Sequence, residues 1–214
     1  MPLVALGVAD LFNFVDYSKT SLAISAAAIA FNPTFWNIVA RREYRTKFLT
    51  RAFGGNSQVA CYFLAVTIFG LGLVRDFLYE RALRDQPSHP LLEGTYVKYA
   101  AYALLALGNL LVITSTLRLG ITGTFLGDYF GILMDGIVTG FPFNVTSAPM
   151  YYGSTMSFLG TALLYGKPAG LLLTAWVLFV YIIAIQFENP FTAEIYAKRD
   201  RERAKAAGTG KKEL

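Results

Sequence analysis

STMSFLGTALLYGKPAGLLLTAWVLFVYIIAIQ, residues 154–186, is a run of 33 residues with a single charge, Lys167. A membrane-spanning helix needs about 20 apolar residues, so this run is too long for one ordinary span. It is interrupted at Gly166-Lys167-Pro168, a turn signal that carries the charge. The economical reading is a helical hairpin, with a short arm over 154–165, a turn, and a full arm over 169–186. At 1.5 Å per residue the first arm is only ~18 Å long. It would need flanking residues or local bilayer thinning to cross.

Outward from the hairpin, residues 20–40, 58–74 and 98–117 are also long stretches almost free of charge. The chain of 214 residues is 55% hydrophobic and only 15% charged, with a mean hydropathy of +0.45. Soluble domains carry nearer a quarter charged residues. The pattern predicts an all-α integral membrane protein with four to five transmembrane helices ending in the hairpin, and no soluble domain large enough to fold alone. The first 19 residues lack the basic start and small-residue cleavage site of a signal peptide, and Asp10 and Asp16 interrupt them. They are expected to lie on the membrane surface as a short amphipathic helix. The lone cysteine, Cys61, sits inside an apolar run and reads as a small buried hydrophobe, which rules out an intrachain disulfide.

The net charge of +5 does not point to nucleic acid, because the basic residues flank membrane segments. Arg41, Arg42, Arg45, Lys47 and Arg51 follow the first apolar run, and a basic tail over 198–214 follows the last. Such clusters are what the positive-inside rule and anionic cytoplasmic lipids produce. With the C-terminus cytoplasmic, counting back through the hairpin makes 118–153 cytoplasmic, 75–97 lumenal and 41–51 cytoplasmic again. If the hairpin were instead one tilted span, 118–153 would face the lumen and Asn144-Val-Thr146 would become a glycosylation sequon. A loop of 36 residues without structure is improbable. An interfacial or re-entrant segment is therefore expected around 120–150, covering the mouth of the bundle near Asp128–Met134.

This segment carries six glycines between 120 and 144, yet no strand precedes them and no βαβ pattern surrounds them, so a dinucleotide fold is excluded. A P-loop is absent. The single histidine, His89, flanked by prolines in Gln-Pro-Ser-His-Pro, reads as a solvated loop residue and can build neither a metal site nor a catalytic triad. What remains on the cytoplasmic face is acids among aromatics: Asp128, Tyr129, Phe130, Asp135, Tyr151, Tyr152, and Glu188 with Asn189. Acids and aromatics at a membrane boundary suit a cationic ligand, an ammonium or a sulfonium. On composition alone they suit equally an interfacial aromatic belt with solvated acids.

Several longer motifs carry a resemblance. FNPTFWNIVAR at 31–41, GTFLGDYFGIL at 123–133, FPFN at 141–144, PMY at 149–151 followed by Gly153-Ser-Thr155, and PFTAEIY at 190–196 are similar to the phospholipid methyltransferases of the endoplasmic reticulum, in both the fungal and the animal branches. The similarity runs from about Phe31 to Lys198. It implies one membrane methyltransferase domain over 1–214, S-adenosylmethionine as the methyl donor, and methylation of a phosphatidylethanolamine headgroup to phosphatidylcholine, with the fungal branch performing chiefly the second and third steps. The phospholipid and the bilayer are then its partners, with no metal. In the family, donor contact is assigned to a Gly-x-Gly in the third apolar helix and to a Glu-Glu pair after the last one. The matching positions here are Ala106-Leu107-Gly108 and Glu188-Asn189, and both depart from the pattern. Small residues such as Gly108 also serve helix packing.

The related isoprenylcysteine carboxyl methyltransferases carry Arg-His-Pro-x-Tyr-x-Gly before their hairpin. Pro149, Tyr151 and Gly153 match it and the basic pair is missing, which argues against a prenylated carboxylate substrate. The resemblance therefore places Ala106, Leu107, Gly108, Pro149, Tyr151, Gly153, Glu188 and Asn189 at the donor. Asp128, Tyr151 and Glu188 are candidates for removing the amine proton, and Tyr129, Phe130 and Tyr152 for stacking on the headgroup. A non-catalytic lipid-binding or transport protein of similar topology is the other reading. The final residues, Lys211-Lys212-Glu213-Leu214, resemble a dilysine retrieval signal for the endoplasmic reticulum.

Overall fold

The structure, a computed structural model, describes residues 8–209. Six α-helices follow in order: α1 (Thr20–Thr46), the short α2 (Phe48–Ala52), α3 (Ser57–Arg84), α4 (Thr95–Thr124), α5 (Pro149–Tyr165) and α6 (Pro168–Thr209). Four stretches are long and apolar enough to cross a membrane: Thr20–Thr46, Ser57–Arg84, Thr95–Phe130 and Pro168–Ala206. Their outward faces carry large apolar side chains, among them Val66, Phe77, Leu117 and Phe179, as a lipid solvent requires.

The hairpin forms where the sequence places it. Gly166 takes a left-handed φ of 67° that a glycine adopts at no cost. The Lys167 N–H then returns to the Ala162 carbonyl at 3.1 Å, closing α5, and Pro168 opens α6. The first arm is longer than expected, however. It begins at Pro149 and spans 17 residues, about 25 Å. Helix α6 likewise runs on through Pro190 for 42 residues.

Close packing of α5 on α4 depends on glycine. A Cβ at Gly108 would lie 2.5 Å from the Gly153 carbonyl oxygen, and one at Gly153 would lie 2.7 Å from that of Gly108. This is helix association through small residues. Around this pair, Tyr79, Phe158, Leu173 and Tyr181 form one buried cluster, and Ala40, Cys61, Leu64, Tyr129, Phe130 and Ile195 form a second nearer the other end. Cys61 is fully buried there.

The up-and-down order brings the α1–α3 connection, residues 125–148 and the C-terminal half of α6 to one end of the bundle. At that end, the wholly buried Glu43 accepts hydrogen bonds from the Leu49 N–H at 2.7 Å and the Thr50 hydroxyl at 2.5 Å, capping α2. Helix α4 bends at Gly120, and the chain enters a 3-10 turn, Gly127–Phe130, packed against α1, α3, α4 and α6. The expected covering element is this turn together with the loop after it.

The opposite end holds the α3–α4 and α5–α6 turns and the N-terminal segment. There Val8–Phe14 is a 3-10 helix rather than an amphipathic α-helix, with Leu11 and Val15 buried. The Asp16 N–H donates to the Gln86 side chain at 2.8 Å. His89 corrects the sequence reading. It is fully buried, its ring sits edge-on to Phe14 at 4.4 Å, and its Nδ1 accepts the Leu91 N–H. Long-range packing against Phe14 covers it, which the local proline-rich context does not reveal. Residues 1–7 and the dilysine-like Lys211-Lys212 lie outside the described residues.

Candidate active site

Glu188 sits on α6 just before Pro190, which lacks an N–H and leaves the Gln186 carbonyl without its helical donor. Its carboxylate accepts three hydrogen bonds from three different side chains. Trp36 Nε1 and Asn37 Nδ2 of α1 each donate to Oε1 at 2.7 Å, and the Tyr151 hydroxyl of α5 donates to Oε2 at 2.6 Å. Charge-assisted bonds of this kind are short and strong, and they offset the cost of withdrawing a carboxylate from water. Beside it, Arg41 Nη2 donates to the Phe187 carbonyl at 2.6 Å, and its guanidinium lies 4.5 Å from the Phe191 ring centre.

Asp128 lies in the 3-10 turn after α4, immediately after Leu126, whose φ of 62° is in the left-handed region that a leucine rarely occupies, and Gly127. Its Oδ2 accepts the Thr192 hydroxyl at 2.9 Å, one turn of α6 beyond Glu188. The same stretch of α6 ties down the following loop. Arg199 Nη1 donates to the Met134 carbonyl at 2.5 Å, and the Tyr196 hydroxyl accepts the Met134 N–H at 3.2 Å.

Both carboxylates, with Trp36 and Tyr151, line a cavity of about 1110 Å³ that also takes in Pro149 and Asn189. It extends from this end of the bundle along α3, α4 and α5, between mainly apolar walls such as Phe69, Leu73 and Val112. Small-molecule clefts usually measure about 300–1,000 Å³, so there is room for more than one modest ligand. Among the described residues no cluster of His, Cys, Asp or Glu is arranged to hold a metal ion.

The expected site residues thus divide. Asp128, Tyr151, Glu188, Asn189 and Pro149 meet in the cavity wall. Tyr129 and Phe130, expected on the headgroup, are instead core residues, 0% and 2% exposed, with the Tyr129 ring stacked on Phe191 at 4.9 Å. Their place beside an acid in sequence does not survive the tight 3-10 turn, which sends the neighbouring side chains inward. Tyr152 is 40% exposed and absent from the cavity wall, one helical step away from Tyr151. Of the α4 triplet, Ala106 and Leu107 face outward, and Gly108 is buried against Gly153. Neither glycine lines the cavity. Chemical reading of the sequence missed Trp36 and Asn37. Their signal was present in the motif at 31–41, where an indole and an amide occupy adjacent positions in an apolar helix.

The phospholipid methyltransferase family profile matches residues 97–199. The chain is 99% identical over the full length of both chains to a phosphatidyl-N-methylethanolamine N-methyltransferase of Neurospora crassa. It is 54% identical to the enzyme of the same name from Saccharomyces cerevisiae, covering 91% of this chain and 94% of that one. It is 46% identical to the human phosphatidylethanolamine N-methyltransferase, covering 94% and 98%. No solved structure matches. A half-buried acid set among aromatics in a cavity of a helical membrane bundle, joined to identity of this extent over whole chains, places the protein in the phospholipid methyltransferase family.

Proposed function

We propose that the protein transfers methyl groups from S-adenosylmethionine to the amines of phosphatidyl-N-methylethanolamine and phosphatidyl-N,N-dimethylethanolamine, forming phosphatidylcholine, and that it acts in the endoplasmic reticulum membrane with the cavity end cytoplasmic. The observation that carries the reading is the half-buried Glu188 carboxylate, held by Trp36, Asn37 and Tyr151 at the wall of a cavity with room for the donor and a lipid headgroup. The names of the Neurospora and yeast relatives supply the lipid.

The residues present suit such a donor. Its ammonium group calls for a fixed anion, which Glu188 provides, and Asp128, oriented by Thr192, adds a second negative side chain on the same wall. When bound, the donor supplies an electrophilic methyl group on a sulfonium. The chain's task is to present a neutral amine to it in line and without water. The lipid amine is largely protonated in water and must first lose a proton. The Tyr151 hydroxyl, oriented by its hydrogen bond to Glu188, presents an oxygen to the amine, while the apolar walls around it disfavour the ammonium form.

Purified protein incubated with methyl-labelled S-adenosylmethionine and phosphatidyl-N-methylethanolamine should place label in phosphatidylcholine. Binding of both substrates without label in the lipid would leave a lipid-binding protein and no enzyme.

A further inference from the structure

The cavity contains a second polar group that neither the family motifs nor the carboxylates explain. Arg75 of α3 lies in its wall, just past the charge-free run 58–74 and nine residues before the end of that membrane-spanning helix, with a side chain only 13% exposed. An ionisable residue at such a place marks a functional site by default. Nε and Nη2 donate to Asp76 at 3.0 and 2.8 Å, and Nη1 donates to the Tyr181 hydroxyl at 2.6 Å. One face of the guanidinium lies over the Phe158 ring. A guanidinium has five N–H donors, so Nη1 and Nη2 each keep one in reserve. Asn32 of α1 lines the same cavity, one helical turn from Trp36. It is 2% exposed, and its Nδ2 has no hydrogen-bond partner among the described residues. A buried amide donor left unmade is costly and needs a reason. Asp76 and Glu80 share that wall and Asp76 pairs with Arg75, so it is the two spare guanidinium N–H groups and the unpaired Asn32 amide that ask for an acceptor oxygen.

Position selects the acceptor. Tyr181 joins Arg75 to the reaction centre, because its ring meets the Tyr151 ring edge-on at 4.8 Å and Tyr151 bonds Glu188. Tyr181 and Glu188 are seven residues apart on α6, about 10 Å along the axis. In an ethanolamine phospholipid an ethylene unit and one ester oxygen separate nitrogen from phosphorus. An amine placed at Tyr151, under the donor at Glu188, therefore puts its phosphodiester at the level of Tyr181 and Arg75. The acyl chains then leave past Phe69, Leu73 and Val112, where α3 and α4 touch only sparsely.

Resting on the reading of this cavity as a phospholipid methylation site, we propose that Arg75 and Asn32 form the subsite for the lipid phosphodiester, which sets the depth at which the amine meets the donor.

The test uses detergent-solubilised full-length protein, short-chain phosphatidyl-N-methylethanolamine as the lipid, and calorimetry with S-adenosylhomocysteine for the donor site. Arg75→Gln should raise the KM for the lipid about ten- to a hundredfold, the range expected for losing a hydrogen bond to a charged group, with S-adenosylhomocysteine affinity unchanged. Arg75→Lys, which keeps the charge without the fork, should recover part of that loss. If Arg75→Gln does not fold, Asn32→Leu carries the test, with a smaller rise in lipid KM and the same unchanged donor affinity. Wild-type lipid KM in every folded variant would overturn the subsite. A loss of S-adenosylhomocysteine affinity with lipid KM intact would also overturn it, by giving the anion site to the donor's carboxylate. Failure of the wild-type protein to methylate lipid would instead sink the underlying reading of the cavity.

Discussion

Among the acids of the cavity, Glu188 accepts hydrogen bonds from three different side chains. A carboxylate at the inner edge of an apolar bundle would be costly alone, yet Trp36, Asn37 and Tyr151 satisfy three of its lone-pair directions from two other helices. Glu188→Gln keeps the shape and removes the charge. It should weaken S-adenosylhomocysteine binding by about 1.5–3 kcal/mol, ten- to a hundredfold, as measured by calorimetry. Unchanged affinity would show that the acid serves structure alone. At this scale the sequence was legible wherever chemistry alone marks a residue: acids in an oily chain, such as Asp128 and Glu188, stand out. The donors that hold Glu188 come from more than 100 positions away in the chain for α1. Asn32, Arg75 and Tyr181 were hidden for the same reason, since only tertiary packing brings α1, α3 and α6 to one wall.

The helices reveal a different balance. Gly166 and Pro168 punctuate the hairpin so strongly that its turn could be read directly. The start of α5 could not, because Pro149–Gly153 mixes aromatic and polar residues and belongs to no apolar run. The length of α6 was also concealed, since hydropathy ends near Gln186 while the helix continues through a mixed stretch that buries Ile195 and Tyr196 before its charged end. Packing of α4 on α5 decides how Gly108 should be understood. A methyl group there meets the Gly153 carbonyl oxygen at 2.5 Å, and overpacking of this kind costs about 1–3 kcal/mol. Gly108→Ala should therefore lower the unfolding temperature in detergent while the folded fraction binds S-adenosylhomocysteine as tightly as the wild type. A stable variant with weakened donor binding would return Gly108 to the donor site.

For the molecule as a whole, topology gathers the basic α1–α3 connection, residues 125–148 and the C-terminal half of α6 at one end. The charge-balanced α3–α4 turn lies at the other. The pattern of basic residues supports a cytoplasmic cavity end. Cysteines introduced at exposed Gly55 and Ile137 should react with an impermeant maleimide added outside sealed microsomes, while one at Ser88 should require permeabilisation. The reverse pattern would invert the protein in the membrane. The most direct measurement is an experimental structure with S-adenosylhomocysteine bound. The ligand should lie in the 1110 Å³ cavity with its ammonium group within hydrogen-bonding distance of Glu188. A ligand bound on the outward face at Ala106 and Leu107, with Glu188 still occupied only by Trp36, Asn37 and Tyr151, would contradict the assignment of this cavity as the methyl-transfer site.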